Sequence, residues 1–182
     1  EAQDLIAQHG AVLVDAAYAG VRGLLGGTPR ADIVHFAVHG RWSGDEGEDE
    51  GLILVDGNVL DADRVLGLEL PTHPLVFLNA CQVGSADEVL GDYAGLAAAF
   101  LASGASAVIA PLWSIDDAIA RELALRFYDE ALKSEPVAEL LRRERAKITD
   151  DPLMSSATLL AYQFYGHPAM KLVKSSVPSS LV

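Results

Sequence analysis

The sequence predicts an α/β domain built on a mostly parallel sheet that helices cover on both faces. Short apolar runs alternate with helical patterns from end to end. The runs are continuous rather than interleaved with polar residues, as strands buried on both faces require. At 182 residues and 51% hydrophobic composition, the chain holds enough apolar material for one full core.

The strand candidates are AVLV at 11–14, IVHFAV at 33–38, LVFLNA at 75–80, SAVIAPL at 106–112 and TLLAYQFY at 158–165. Ahead of them, Leu5 and Ile6 followed by Gly10 read as the end of a helix whose beginning is missing. With Glu rather than Met in first place, this gives the expectation of a trimmed or processed piece. Asp15 is expected to cap a helix carrying Val21, Leu24 and Leu25. A second crossover helix, 95–103, places Leu96 and Phe100 on one face and stops at Gly104. A third begins near Asp116 and Asp117, with Leu123, Phe127 and Ala131 at i, i+4 spacing; a fourth has Pro136 in its first turn before Leu140 and Leu141.

An insert follows His39. Asp45 to Glu50 carry five carboxylates with no apolar anchor, which reads as a mobile surface loop near a cleft mouth. The segment LILV-DGN-VL reads as a hairpin turned at Asp56-Gly57, with a short helix from Asp61. The expected order is β-α-β-insert-β-α-β-α-α-β. Residues 1–174 are assigned to this one domain and 175–182 to a disordered tail.

Charge excludes several function classes. Lys and Arg number 13 against 26 Asp and Glu, a formal net charge of −13, so a phosphate-lined partner is repelled and nucleic acid is not expected as a direct ligand. No apolar run reaches the roughly 18 residues of a membrane span, and the first residues lack a signal-peptide layout. A cytoplasmic protein without a membrane partner is the expectation. GLLGGTPR lacks the Lys-Ser/Thr of a phosphate loop, no G-x-G-x-x-G follows a strand, and Ser43, Ser85 and Ser114 stand in no G-x-S-x-G elbow. Nucleotide binding and a serine hydrolase are therefore not expected.

Chemistry points to His39 and Cys81. Each closes an apolar run, and in a parallel sheet both lie at the carboxyl edge, where open α/β sheets collect ligands. Cys81 is the one cysteine, so it forms no internal disulfide. A free thiol has a pKa of roughly 8.5, and an imidazole beside it stabilises the thiolate that attacks a carbonyl. The backbone N–H groups of Gly40 and Cys81 are the natural oxyanion donors at these strand ends. A buried, inert cysteine and a histidine satisfied by a carbonyl explain the same pattern equally well. His35 and His39 form H-x-x-x-H, but on a strand they stand about 13 Å apart and share no metal. His35 is therefore expected to be a packed strand residue, while His9, His73 and His167 fall in loops.

Taken in order, HFAVHG, FLNACQVG, GLAAAFLASGASAVIAPLWSIDD and AYQFYGHP resemble the CHAT domain, a family of bacterial relatives of caspases and separases. The resemblance runs from about residue 1 to 172. It implies a caspase-like three-layer sandwich, here without the N-terminal strands that relatives carry. It also implies a Cys/His endopeptidase mechanism without metal or cofactor, and attachment to an N-terminal helical-repeat sensor region or a regulatory protein. One departure is Asn79, where family members more often have Ser two residues before the cysteine. In separases a segment similar to Leu112–Asp117 supplies an acidic residue that receives a basic side chain just before the cut bond. Asp117 is its closest match here and Asp116 the second, although either aspartate at a helix start also suits an N-cap. Trp113 is assigned to the cleft wall, with a core position as the alternative.

The expected function is hydrolysis of protein or peptide substrates after a basic residue. The rivals are a catalytically silent interaction domain that signals by binding, and a redox-sensing thiol domain.

Overall fold

The computed structural model describes residues 1–41, 50–82, 92–113, 115–146 and 160–173. The acidic stretch 45–49, Ser114 and the tail 175–182 lie outside them. Among the described residues a mixed sheet of six strands runs in the order β3-β2-β1-β4-β5-β6. Its strands are β1 (Ile33–Arg41), β2 (Gly51–Ile53), β3 (Val59–Leu60), β4 (Leu75–Gln82), β5 (Ala107–Pro111) and β6 (Tyr162–Gly166). The helices are α1 (Ala2–His9), α2 (Tyr18–Leu25), α3 (Ala62–Leu66), α4 (Asp92–Ala102), α5 (Asp117–Ala131) and α6 (Val137–Ala146).

The central strands β1, β4 and β5 are parallel; β2, β3 and β6 run antiparallel to their neighbours. Alternation along each strand sends side chains to two separate cores. Val34, Phe36, Val76, Leu78 and Ala80 pack with Val21 and Leu25 of α2, Val65 of α3 and Leu96 and Phe100 of α4. Leu75, Phe77, Ala107 and Ile109 face the other way, onto Leu5 of α1, Leu123 and Phe127 of α5, and Leu140 and Leu141 of α6. This three-layer α/β arrangement is the caspase-like sandwich expected from the sequence. Each fully buried Leu or Phe contributes roughly 1.5–3 kcal/mol, so both layers have reason to stay closed.

The hairpin forms at Asp56-Gly57, where Gly57 takes φ 80° and Asp56 Oδ1 accepts from the Asn58 amide. Asp61 caps α3 by accepting from the Arg64 amide at 2.7 Å. Gly104 ends the turn after α4 at φ 111°, a left-handed value that a side chain resists.

Two expectations are corrected. Residues 11–14 form no strand: Val12 and Leu13 are 81% and 72% exposed, so the run has no layer to bury it. Asp15 does not cap α2, whose N-cap is Ala17; the carboxylate instead accepts from the Ala17 amide in a local turn. No helix among the described residues is long and apolar enough to cross a membrane.

Candidate active site

His39 and Cys81 are register partners on adjacent parallel strands, β1 and β4, near their carboxyl ends. Neighbouring strands stand about 4.8 Å apart, within the reach at which a thiol and an imidazole meet. Both residues fall inside strands rather than just after them, because β1 extends to Arg41 and β4 to Gln82. For Cys81 the structure describes the backbone position. Gly40 is buried between Leu52 of β2 and Gln82 of β4 in register. Its N–H thus lies in the plane of the sheet, directed at a neighbouring strand, and an oxyanion reaches it only where that ladder opens.

The exposed His39 ring opens on a cleft of ≈ 550 Å³. Ala37 and Val38 flank His39 there, Ile53 to Val55 form a wall from β2 and the turn beyond it, and Asn79 contributes from β4. Glu1 and Ala2 of the α1 end and Ile115, Asp117, Ala120 and Arg121 around the start of α5 complete the lining.

The two aspartates divide their positions. Asp116 is the N-cap of α5, its Oδ1 accepting from the amides of Ala118 and Ile119 at 3.0 and 3.1 Å. Asp117, the first residue of the helix, lines the cleft, where the helix dipole favours its charge. Trp113 is half-buried and packs against the apolar cluster beneath α5 and α6.

Below the cleft runs a polar chain of hydrogen bonds. Tyr162 donates its hydroxyl to Asn79 Oδ1, and Asn79 Nδ2 donates to Glu1 Oε1 at 2.6 Å. His35 Nε2 approaches the same oxygen at 2.7 Å, and its Nδ1 lies 2.9 Å from the Tyr128 hydroxyl. An ionised carboxylate only accepts, so Nε2 carries the proton it shares with Glu1, and in the neutral ring Tyr128 donates to Nδ1. Burial pushes the Glu1 carboxyl up, but the hydrogen bond and charge of His35, with the Asn79 amide, outweigh it and hold the group below its ordinary value. Burial drives the Tyr128 phenol well above its ordinary range, and the Glu1 charge adds to that. His35 also stacks on Phe77, with ring centroids 4.9 Å apart. It is the packed strand residue its position suggested. Among the described residues no group of three His, Cys, Asp or Glu is placed to hold a metal ion.

A model of the CHAT domain family matches residues 3–170. The chain belongs to the CHAT domain family. CHAT domains form a caspase-like family related to cysteine peptidases. No curated protein matches the chain.

Sequence reasoning missed several residues that line this CHAT domain's cleft. Glu1 and Ala2 gave no signal, being remote in sequence from both strands. Arg121 did leave one, since it stands four residues after Asp117, the spacing of neighbours on one helix face. His9 closes α1 rather than lying in a loop, its ring against Tyr128.

Proposed function

We propose that this CHAT domain is a cysteine endopeptidase that cuts protein substrates after a basic residue. The observation that carries this reading is the register pairing of His39 with Cys81, at the edge of a cleft that His39 itself lines. In the proposed reaction the Cys81 thiol gives its proton to His39, and the thiolate attacks the peptide carbonyl carbon. The Cys81 amide is proposed to hold the oxyanion, and that of Gly40, paired within the sheet, joins it only when a neighbouring strand releases it. The carbon–nitrogen bond then breaks, and His39 returns the proton to the departing amine. Water, deprotonated by His39, hydrolyses the thioester and regenerates the free thiol.

Asp117 is proposed to receive the basic side chain. Its place at the cleft wall supports this role, while Asp116 is occupied in capping α5. Incubation with a peptide library carrying basic residues, read by mass spectrometry, tests the reading. Cleavage after Arg or Lys by the wild-type chain and none by Cys81→Ala is the expected result. Equal cleavage by Cys81→Ala would remove it.

A further inference from the structure

Strand β1 is paired unequally on its two sides. β4 runs beside it from Ile33 to Gly40, whereas β2 reaches only His39 to Arg41. Along Ile33 to Val38 the side away from β4 has no strand among the described residues. One bond fixes which backbone groups face that gap: the Leu75 amide donates to Asp32 O at 2.9 Å. Backbone groups alternate in direction along a strand, so Val34, Phe36 and Val38 turn their N–H and C=O toward β4. Ile33, His35 and Ala37 turn theirs outward, where none meets a partner among the described residues.

An open edge is a template for another strand, and proteins blunt such edges with charge, proline or a bulge. IVHFAV holds no Lys, Arg, acid or proline. An extended segment of about six residues, some 20 Å long, fits this edge end to end with β2. Its surroundings are apolar: Ala37, Val38, Ile53, Leu54 and Val55 line the adjoining cleft, and Val55 is 74% exposed. A second strand-like stretch is also without a partner. The amides of Val12, Leu13 and Val14 have none among the described residues, and Ala16 O just beyond accepts from the Val55 amide at 3.2 Å, on the side of β1 that β2 occupies. Charge narrows the occupant further, because the Glu1 carboxylate held by His35 and Asn79 lines the same cleft and the chain carries a net −13. An acidic segment is repelled there.

We propose that the open edge of β1 is a strand-docking site for a partner protein, which supplies an extended apolar segment free of acidic residues. Its backbone pairs with Ile33, His35 and Ala37 and fills the sheet up to His39. The inference concerns backbone groups and holds whether or not Cys81 is catalytic.

The test reads binding to the Cys81→Ala chain. Fluorescein-labelled Lys-Val-Thr-Val-Thr-Val is titrated by fluorescence anisotropy, beside one copy N-methylated at its valines, one N-methylated at its threonines, and one with Glu in place of each Thr. Strand pairing predicts that at least one methylated copy binds about tenfold more weakly, and that the acidic copy does too. Ala37→Pro removes an outward N–H without touching the β4 ladder, and is expected to weaken the parent peptide about tenfold. Hydrogen exchange read by NMR gives a pattern that a greasy contact does not. On saturation with peptide the amides of Ile33, His35 and Ala37 should slow at least tenfold, while those of Val34 and Phe36, already turned to β4, change little. Absence of binding, or binding that leaves those three amides unprotected and both methylated copies as tight as the parent, would overturn the proposal. Equal binding of the acidic copy would overturn the assigned chemistry. Protection of the three amides that rises with protein concentration before any peptide is added would give the edge to a second copy of this chain instead.

Discussion

The Tyr162 hydroxyl donates to Asn79 Oδ1, tying edge strand β6 to β4 past the intervening β5. Asn79 stands two positions before Cys81 and is 6% exposed, and Tyr162 is fully buried. Removing the amide takes an acceptor from a buried hydroxyl and deprives Glu1 of a donor. Asn79→Ala is therefore expected to cost about 1–3 kcal/mol in urea unfolding. Asn79→Ser keeps one hydroxyl, too short to serve both Tyr162 and Glu1, and should fall between. A change within about 0.5 kcal/mol for Asn79→Ala would show that the network carries no weight.

Cys81→Ala and His39→Ala are each expected to abolish peptide cleavage. His39 is exposed at the cleft and no described core contact depends on it, so its removal should leave the thermal midpoint nearly unchanged. Residues that act as one unit are not additive, and the double variant should be no slower than either single variant. Residual cleavage in purified Cys81→Ala that matches wild type would sink the dyad.

LVFLNA and SAVIAPL were legible because β4 and β5 are covered on both faces, which a continuous apolar run records directly, while IVHFAV buries Val34 and Phe36 on one face and leaves Ala37 exposed at the cleft. AVLV at 11–14 carries the same signal without the burial. Local composition does not say whether a neighbouring strand lies alongside it, and Val12 and Leu13 stand in solvent. The direction of β6 was likewise unwritten, since YQFYG pairs as readily antiparallel as parallel. At the candidate site, the adjacent strand-end positions of His39 and Cys81 were legible because each closes an apolar run. The partners of His35 come from α1 and α5, far away in sequence, and only the packed fold brings Glu1 and Tyr128 to its ring.

Two carboxyl and phenol shifts set opposite pH limbs. Glu1 has a folded value below its unfolded one, so the unfolded chain binds more protons and stability rises with pH across that window. Its contribution is complete above about pH 5.5 and declines as pH falls through 4.5 toward the lowered folded value. Tyr128 is raised, so its contribution is complete below its ordinary 10.0 and is lost as pH climbs beyond it. Glu1→Gln should flatten the acid limb of denaturation midpoint against pH, and Tyr128→Phe the alkaline limb. An acid limb unchanged in Glu1→Gln would contradict the assignment.

Asp116 and Asp117 allow a crossed comparison within two adjacent positions. Asp116 Oδ1 satisfies two amides at the start of α5, so Asp116→Ala is expected to cost about 1 kcal/mol of stability, within the usual range for a lost N-cap. Its cleavage profile should stay as in wild type. Asp117 lines the cleft and is exposed while the cleft is open, so Asp117→Asn should unfold near the wild-type midpoint. A bound basic side chain covers that carboxylate and strengthens the pairing. Truncating such a pair costs about 2–5 kcal/mol when it is fully buried, and a partly wet cleft places the loss near the lower end, about 2 kcal/mol or some thirtyfold in kcat/KM. Substrates with a neutral residue at that position should lose little. The stability loss and the specificity loss are thus expected to separate cleanly between neighbours, one by denaturation and the other by kinetics. Asp117→Asn that lowers stability while leaving the cleavage profile intact would return both aspartates to the helix and leave the basic preference without a receptor.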